Sequence, residues 1–264
     1  MGPSSMPSLQ IHYWRNIADA LKDIGATVFV TKVSRVADLA TRASELKHQL
    51  DQNTQGRELN LMGHSMGGLD CRYMISHLNP SLFRVHSLTT ISTPHRGSPF
   101  MDWCRDTLGV GNIKGNDIDV DHHAPSFQSA DSVSPPTSRH PLIRSLLSAI
   151  DRPAYSNLTT TYCNSVLNPT TPDDPNVKYF SYGASIDIAL LHPLRFPYEV
   201  IKRVEGENDG LVSVRSAKWG TYLGTLKCDH WCVTSPTRAF IIEINCFLGI
   251  LIIDGNQSVS LAGL

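Results

Sequence analysis

The residues Gly63-His64-Ser65-Met66-Gly67-Gly68 set a serine in the pattern Gly-x-Ser-x-Gly, between an apolar stretch at 59–62 and a helix-like stretch at 66–78. In a strand-turn-helix setting that pattern has a physical purpose. The glycines leave room for a sharp turn that holds the serine in a strained conformation, with its Oγ presented at the end of the strand. The first N–H groups of the following helix have no partner within it, so the Met66 N–H is suited to an oxyanion formed when the serine attacks a carbonyl. A serine alcohol also needs a base, and the base needs an orienting acid. Serine turns of this kind are followed along the chain by the acid and then by the histidine. Asp209 stands in the tight-turn sequence Glu207-Asn208-Asp209-Gly210, and His230 stands in the loop-like Cys228-Asp229-His230-Trp231. Asp187 and Glu205 are alternatives for the acid. His192, which precedes a proline, is a lesser candidate for the base, and His77 and His86 come too early in the chain. His64 adjoins the serine and is expected to point away along the turn.

These groups have to be positioned by a sheet. Apolar residues recur at helical spacing over 13–24, where Gly25 supplies a stop, and a β-branched strand is expected over 27–33. A second helix is expected over 34–50, then a strand at 59–62, a helix at 66–78 closed by Asn79-Pro80, and a strand at 85–91. Such alternation implies right-handed crossovers and a parallel sheet. After Pro94 the regularity fails. Residues 111–138, rich in Gly, Asp, Ser and Pro, read as a mobile insertion, 141–150 as a helix, and 178–183 and 219–226 as further strands. The apolar run 240–253 does not read as a closing helix.

Composition narrows the functional classes. The 264 residues carry 23 Lys and Arg against 24 Asp and Glu, a net charge of −1 that gives no electrostatic reason to expect nucleic acid as a partner. The six cysteines form no Cys-x-x-Cys pair, which fits a reducing compartment. Residues 1–10 lack the basic and apolar regions of a secretory signal, and the longest apolar run is too short to span a membrane. Asp117, Asp119, Asp121, His122 and His123 could be drawn as metal ligands, yet no apolar framework surrounds them, and a solvated acidic loop is expected instead. Trp103, Leu108, Leu142, Ile143, Leu146 and Leu147 could form either a lipid-facing surface or ordinary core.

Three motifs, Gly63 to Leu69, Thr93-Pro94-His95-Arg96-Gly97-Ser98 and Asn208-Asp209-Gly210-Leu211-Val212-Ser213, together resemble the triacylglycerol lipases of the Pseudomonas/Burkholderia type. The resemblance is closer still to fungal lipases related to the yeast mitochondrial triacylglycerol lipase, and it covers about residues 7–231. It implies a single α/β-hydrolase domain over 1–264, a mostly parallel sheet flanked by helices, with a lid insertion at 99–150 and a divergent tail at 232–264. It implies Ser65 as nucleophile, Asp209 as acid, His230 as base, and a lipase or carboxylesterase acting on acylglycerols or other lipid esters without a cofactor. Peripheral contact with a membrane or lipid droplet, and an intracellular site at mitochondria or lipid droplets, are implied with it; otherwise a cytoplasmic site is expected. The bacterial lipases hold calcium with an aspartate two residues beyond the histidine; Cys232 stands there in this chain, so no metal is expected. The family begins with a strand ending in a His-Gly oxyanion loop, whereas this chain starts at Met1-Gly2-Pro3, so a sheet without that strand and that donor is expected. The alternatives within the same fold are a thioesterase, a phospholipase, an acyltransferase, or a catalytically silent lipase-like protein.

Overall fold

The computed structural model describes residues 14–34, 36–109, 153–231 and 249–254. Helix α1 (Arg15–Asp23) turns Trp14, Ala18 and Leu21 inward, and Gly25, with φ of 90°, lets the chain turn out of it into β1 (Val28–Thr31). Helix α2 (Leu39–Asn53) starts five residues later than its periodicity suggests, because the Asp38 carboxylate accepts the Thr41 N–H at 2.8 Å and caps the helix there. Its buried stripe, Leu39, Ala43, Leu46 and Leu50, faces the sheet and α3. Strand β2 (Glu58–His64) leads through Ser65 into α3 (Met66–His77), and β3 (Arg84–Ile91) follows. The fully buried Arg42 of α2 and Asp70 of α3 form a bidentate ion pair between the two helices, a contact whose loss would strand a charge in the interior.

Beyond β3 come α4 (Pro99–Leu108), a helical segment over 160–170 with a π-turn at Cys163–Leu167, β4 (Lys178–Ala184), α5 (Arg195–Glu205), α6 (Val214–Ala217) and β5 (Thr221–Leu226). Strands β2, β3, β4 and β5 pair in parallel, in that order across the sheet. The strands expected over 178–183 and 219–226 therefore correspond to β4 and β5.

The apolar run near the C-terminus holds the strand that its composition left unassigned. Strand β6 (Gly249–Asp254) lies between β1 and β2 and is antiparallel to both, so the sheet order is β1-β6-β2-β3-β4-β5. The crossover from β1 through α2 to β2 leaves a gap one strand wide, and β6 fills it. Its side chains serve both faces, as a central strand requires: Ile252 is fully buried in the cluster under α2 and α3, and Ile253 packs on the opposite cluster around Trp14, Leu21 and Ile91. Asp254 pairs with Arg57, and its N–H donates to the Thr27 carbonyl at 3.1 Å, tying the far end of β6 to both neighbours.

Every parallel strand ends at the same sheet edge, where the loops after β2, β3, β4 and β5 meet. That edge carries Ser65, the 92–98 segment, the turn with Asp209 and the loop with His230. The 111–138 insertion, the 141–150 helix and the acidic cluster at 117–123 lie outside the described residues. Among the described residues no helix is long and apolar enough to cross a membrane.

Candidate active site

Ser65 sits at φ 53° and ψ −133°, a left-handed conformation that a side chain adopts only under constraint. Two glycines make the turn sterically feasible. A Cβ on Gly63 would come within 2.7 Å of the Gly68 backbone, and a Cβ on Gly68 would fall 2.2 Å from Thr93 Oγ1. The turn is pinned by the Ser65 N–H donating to the Ile91 carbonyl at 3.0 Å and the Gly68 N–H donating to the Ser65 carbonyl at 3.1 Å. Met66 is the first residue of α3, so its N–H belongs to the unpaired set at the helix start, directly beside Ser65.

Asp209 is held by its own turn. Leu211 and Val212 donate their N–H groups to Asp209 Oδ1 at 3.0 and 2.8 Å, while the Gly210 N–H bonds the Asn208 side chain at 2.9 Å. Gly210 has φ of 102°, and a Cβ there would meet Leu194 at 2.9 Å. The other carboxylate oxygen, Oδ2, is left for His230 Nδ1, 2.8 Å away, and His230 Nε2 lies 3.1 Å from Ser65 Oγ. The His230 N–H also donates to the Asp209 carbonyl at 2.9 Å. All three residues are buried. A carboxylate that accepts from Nδ1 leaves Nε2 of the neutral ring free to accept, the tautomer in which the imidazole can take a proton from the serine hydroxyl.

The structure thus brings Ser65, Asp209 and His230 into one hydrogen-bonded chain across residues 144 or more apart in pairs with the serine. The other candidates are elsewhere. Asp187 accepts from the Tyr198 hydroxyl at 2.9 Å and its carboxylate is largely in solvent, and Glu205 accepts from Ser213 Oγ. His192 faces Asp229 and Trp231, with His192 Nδ1 accepting the Leu194 N–H at 3.2 Å. His77 stacks on Tyr73 and His86 lies beside Glu58. His64 departs from the expectation. Its ring does not run away along the turn but packs against His230, centroids 4.6 Å apart. The reason is strand geometry: residues alternate faces along β2, and the face assigned to His64 at its end is the one His230 covers.

The Thr93 to Ser98 segment has a role that the sequence did not disclose. Ser98 Oγ donates to the Leu211 carbonyl at 2.7 Å, Ser216 Oγ donates to the Gly97 carbonyl at 2.6 Å, and the Arg96 N–H donates to Ser216 Oγ at 3.1 Å. Gly97 has φ of 77° and passes so close to Thr159 that a Cβ would lie 2.5 Å from its backbone. His95 is buried against Trp219, with the Arg72 guanidinium 3.6 Å over the same indole. The segment is a strut that joins the serine turn to the turn carrying Asp209. Trp103, one of the residues considered for a lipid-facing surface, packs edge-on against Phe196 of α5 at 4.8 Å. Leu142, Ile143, Leu146 and Leu147 fall outside the described residues, as does most of the 99–150 insertion.

A family model described as a PGAP1-like alpha/beta domain matches residues 26–108. Triacylglycerol lipase 2 of Saccharomyces cerevisiae is 35% identical over 232 residues, covering 84% of this chain and 62% of the yeast protein. The chain therefore spans less than two thirds of that relative's length. The triacylglycerol lipase of Pseudarthrobacter phenanthrenivorans is 27% identical, covering 91% of this chain and 84% of its own. Among solved structures, the mature form of Bacillus licheniformis lipase BlEst2 superposes with a TM-score of 0.54 at 24% identity, over 75% of this chain and 70% of that one. The structural likeness establishes the α/β-hydrolase fold, with a mostly parallel sheet flanked by helices.

Proposed function

We propose that the chain is a member of the α/β-hydrolase triacylglycerol lipase family, a reading supported by the 35% identical yeast relative and the bacterial lipases, and that it is a serine hydrolase that cleaves carboxylic esters of acylglycerols. The observation that carries this reading is the continuous hydrogen-bonded chain from Asp209 Oδ2 through His230 to Ser65 Oγ. In the proposed reaction Ser65 Oγ attacks the ester carbonyl carbon while His230 Nε2 accepts the hydroxyl proton. The Asp209 carboxylate stabilises the imidazolium and keeps the proton on Nδ1. The carbonyl oxygen becomes an oxyanion, for which the Met66 N–H at the start of α3 is a donor. Collapse of this intermediate breaks the C–O bond to the glycerol oxygen. His230 returns its proton to that oxygen, leaving an acyl ester on Ser65. Water, deprotonated by His230, then attacks the acyl carbonyl, releases the fatty acid and restores the serine.

Peripheral contact with a lipid surface belongs to the same proposal, as does action at mitochondria or lipid droplets. The contact is supported by the β4–α5 loop, where Leu190 is 78% and Leu191 99% exposed, at the sheet edge that also carries Ser65. The test of the reaction is hydrolysis of a soluble p-nitrophenyl ester and of emulsified triacylglycerol by the purified chain. Turnover should vanish in Ser65→Ala and fall by about 10,000-fold in kcat in Asp209→Asn, which favours the wrong histidine tautomer. Turnover unchanged by Ser65→Ala would refute the assignment.

A further inference from the structure

Ser98 stands at the start of α4, the position from which a serine hydroxyl ordinarily accepts an N–H of the first helical turn. Its side chain makes no such bond. The Ser98 carbonyl accepts the Met101 and Asp102 N–H groups at 2.9 and 3.2 Å, and the hydroxyl of this buried residue turns away to donate to the Leu211 carbonyl at 2.7 Å. That carbonyl belongs to the peptide unit joining Leu211 to Val212. The N–H of the same unit, on Val212, donates to Asp209 Oδ1 at 2.8 Å. In a planar trans peptide the C=O and N–H point in opposite directions, so a donor that fixes the oxygen also fixes the aim of the N–H. A hydrogen bond accepted by the carbonyl also polarises the amide and strengthens the donor it presents.

We propose that Ser98 is a positioning residue for the reaction: through the 211–212 peptide it aims the Val212 N–H at Asp209 Oδ1, so that Oδ2 stays turned to His230 Nδ1. This inference rests on the assignment of Ser65, Asp209 and His230 made above. The brace comes from outside the turn that carries the acid. The Leu211 N–H on Asp209 Oδ1, at 3.0 Å, and the Asp209 N–H on the Val212 carbonyl, at 3.2 Å, both close within that turn and leave it able to shift as a unit. Ser98 is anchored elsewhere: its N–H donates to the Leu158 carbonyl at 2.9 Å, and the neighbouring Gly97 lies against the Thr159 backbone. The hydroxyl therefore ties the acid to a part of the molecule that does not move with it. Asp209 acts on Ser65 only through His230, over contacts of 2.8 and 3.1 Å, so a misaimed carboxylate misaims the base. A displacement of about 1 Å in such a chain costs about 100-fold in rate.

The inference is tested with Ser98→Ala, which removes the hydroxyl and little else. Circular dichroism and thermal melting establish that the variant folds; if it does not, Ser98→Cys, a weaker donor of similar shape, takes its place. On a soluble p-nitrophenyl ester the variant should lose about 10-fold in kcat with KM little changed. The same substitution made in Asp209→Ala should cost almost nothing further, because no carboxylate is left to aim, whereas a general loosening of the fold would cost as much there as in wild type. The proton between His230 Nδ1 and Asp209, read as a resonance downfield of the amide region in one-dimensional proton spectra, should be present in the parent chain and broaden away without the Ser98 hydroxyl. The resonance is read in a Ser65→Ala background as well, so the positioning inference is judged even if the reaction assignment fails. Parental kcat with an unchanged resonance in the Ser98 variant would overturn the inference. So would an equal loss of kcat with and without the Asp209 carboxylate, which would make the Ser98 bond a support of the fold alone.

Discussion

At the residue scale the site is a set of short-range constraints that hold buried polar groups through protein hydrogen bonds. The Gly63 and Gly68 contacts force the chain through the left-handed turn at Ser65, and the backbone donors of Leu211 and Val212 leave one Asp209 oxygen free for the histidine. The candidate residues Ser65, Asp209 and His230 were readable because each stands in a local motif whose spacing has a steric reason. The orientation of His64 was not readable, since which face a strand-end side chain takes depends on pairing with β3 and β6, both of which lie far away in sequence. The buried imidazoles also fix how stability responds to pH. Burial holds both His64 and His95 well below the usual value of 6.5, reinforced by His230 for the first and by Arg72 and Arg96 for the second. Below that value the unfolded chain binds protons that the folded chain refuses, so stability drops as pH falls; above it both states are neutral at these rings and the dependence disappears. Each ring can contribute a slope of about 1.4 kcal/mol per pH unit in that window. Urea unfolding between about pH 7.5 and about pH 5.5 should show declining stability, and His95→Gln should flatten the decline. An unaltered slope in that variant would show that the His95 ring is not responsible.

At the element scale, the sheet depends on a strand contributed from the other end of the chain. The helix-strand alternation up to β3, and strands β4 and β5, were legible because each has its own period of buried residues. Strand β6 was not, since a continuous apolar run is compatible with a buried helix or a buried strand, and only its partners decide. The start of α2 differs from its apolar period for a related reason: the period reaches back past Asp38, but the Asp38 cap starts the helix at Leu39. Because β6 lies between β1 and β2, its removal would leave the inner edges of both unpaired and would uncover Leu59 and Leu61 of the main core cluster. Ile252 is fully buried in that cluster, so Ile252→Ala should lower the unfolding free energy by about 2–5 kcal/mol, measured by denaturant titration. A loss under about 0.5 kcal/mol would show that β6 is dispensable to the core.

At the scale of the whole molecule, parallel crossovers collect the loops that hold the reacting groups at one sheet edge, and the same edge displays the apolar loop with Leu190 and Leu191. If that loop meets lipid, the double substitution Leu190→Asp with Leu191→Asp should reduce hydrolysis of emulsified triacylglycerol several-fold while leaving a soluble ester unaffected. Equal activity on the emulsion would place the contact elsewhere. The central claim is more basic: Ser65 is a nucleophile activated by His230. A fluorophosphonate probe reacts with a serine only when that activation is assembled, so the decisive measurement is labelling of the purified chain followed by mass mapping of the adduct. The expected result is a single adduct on Ser65, absent in Ser65→Ala and in His230→Ala. A folded wild-type chain that takes no label, or an adduct that survives Ser65→Ala, would contradict the account.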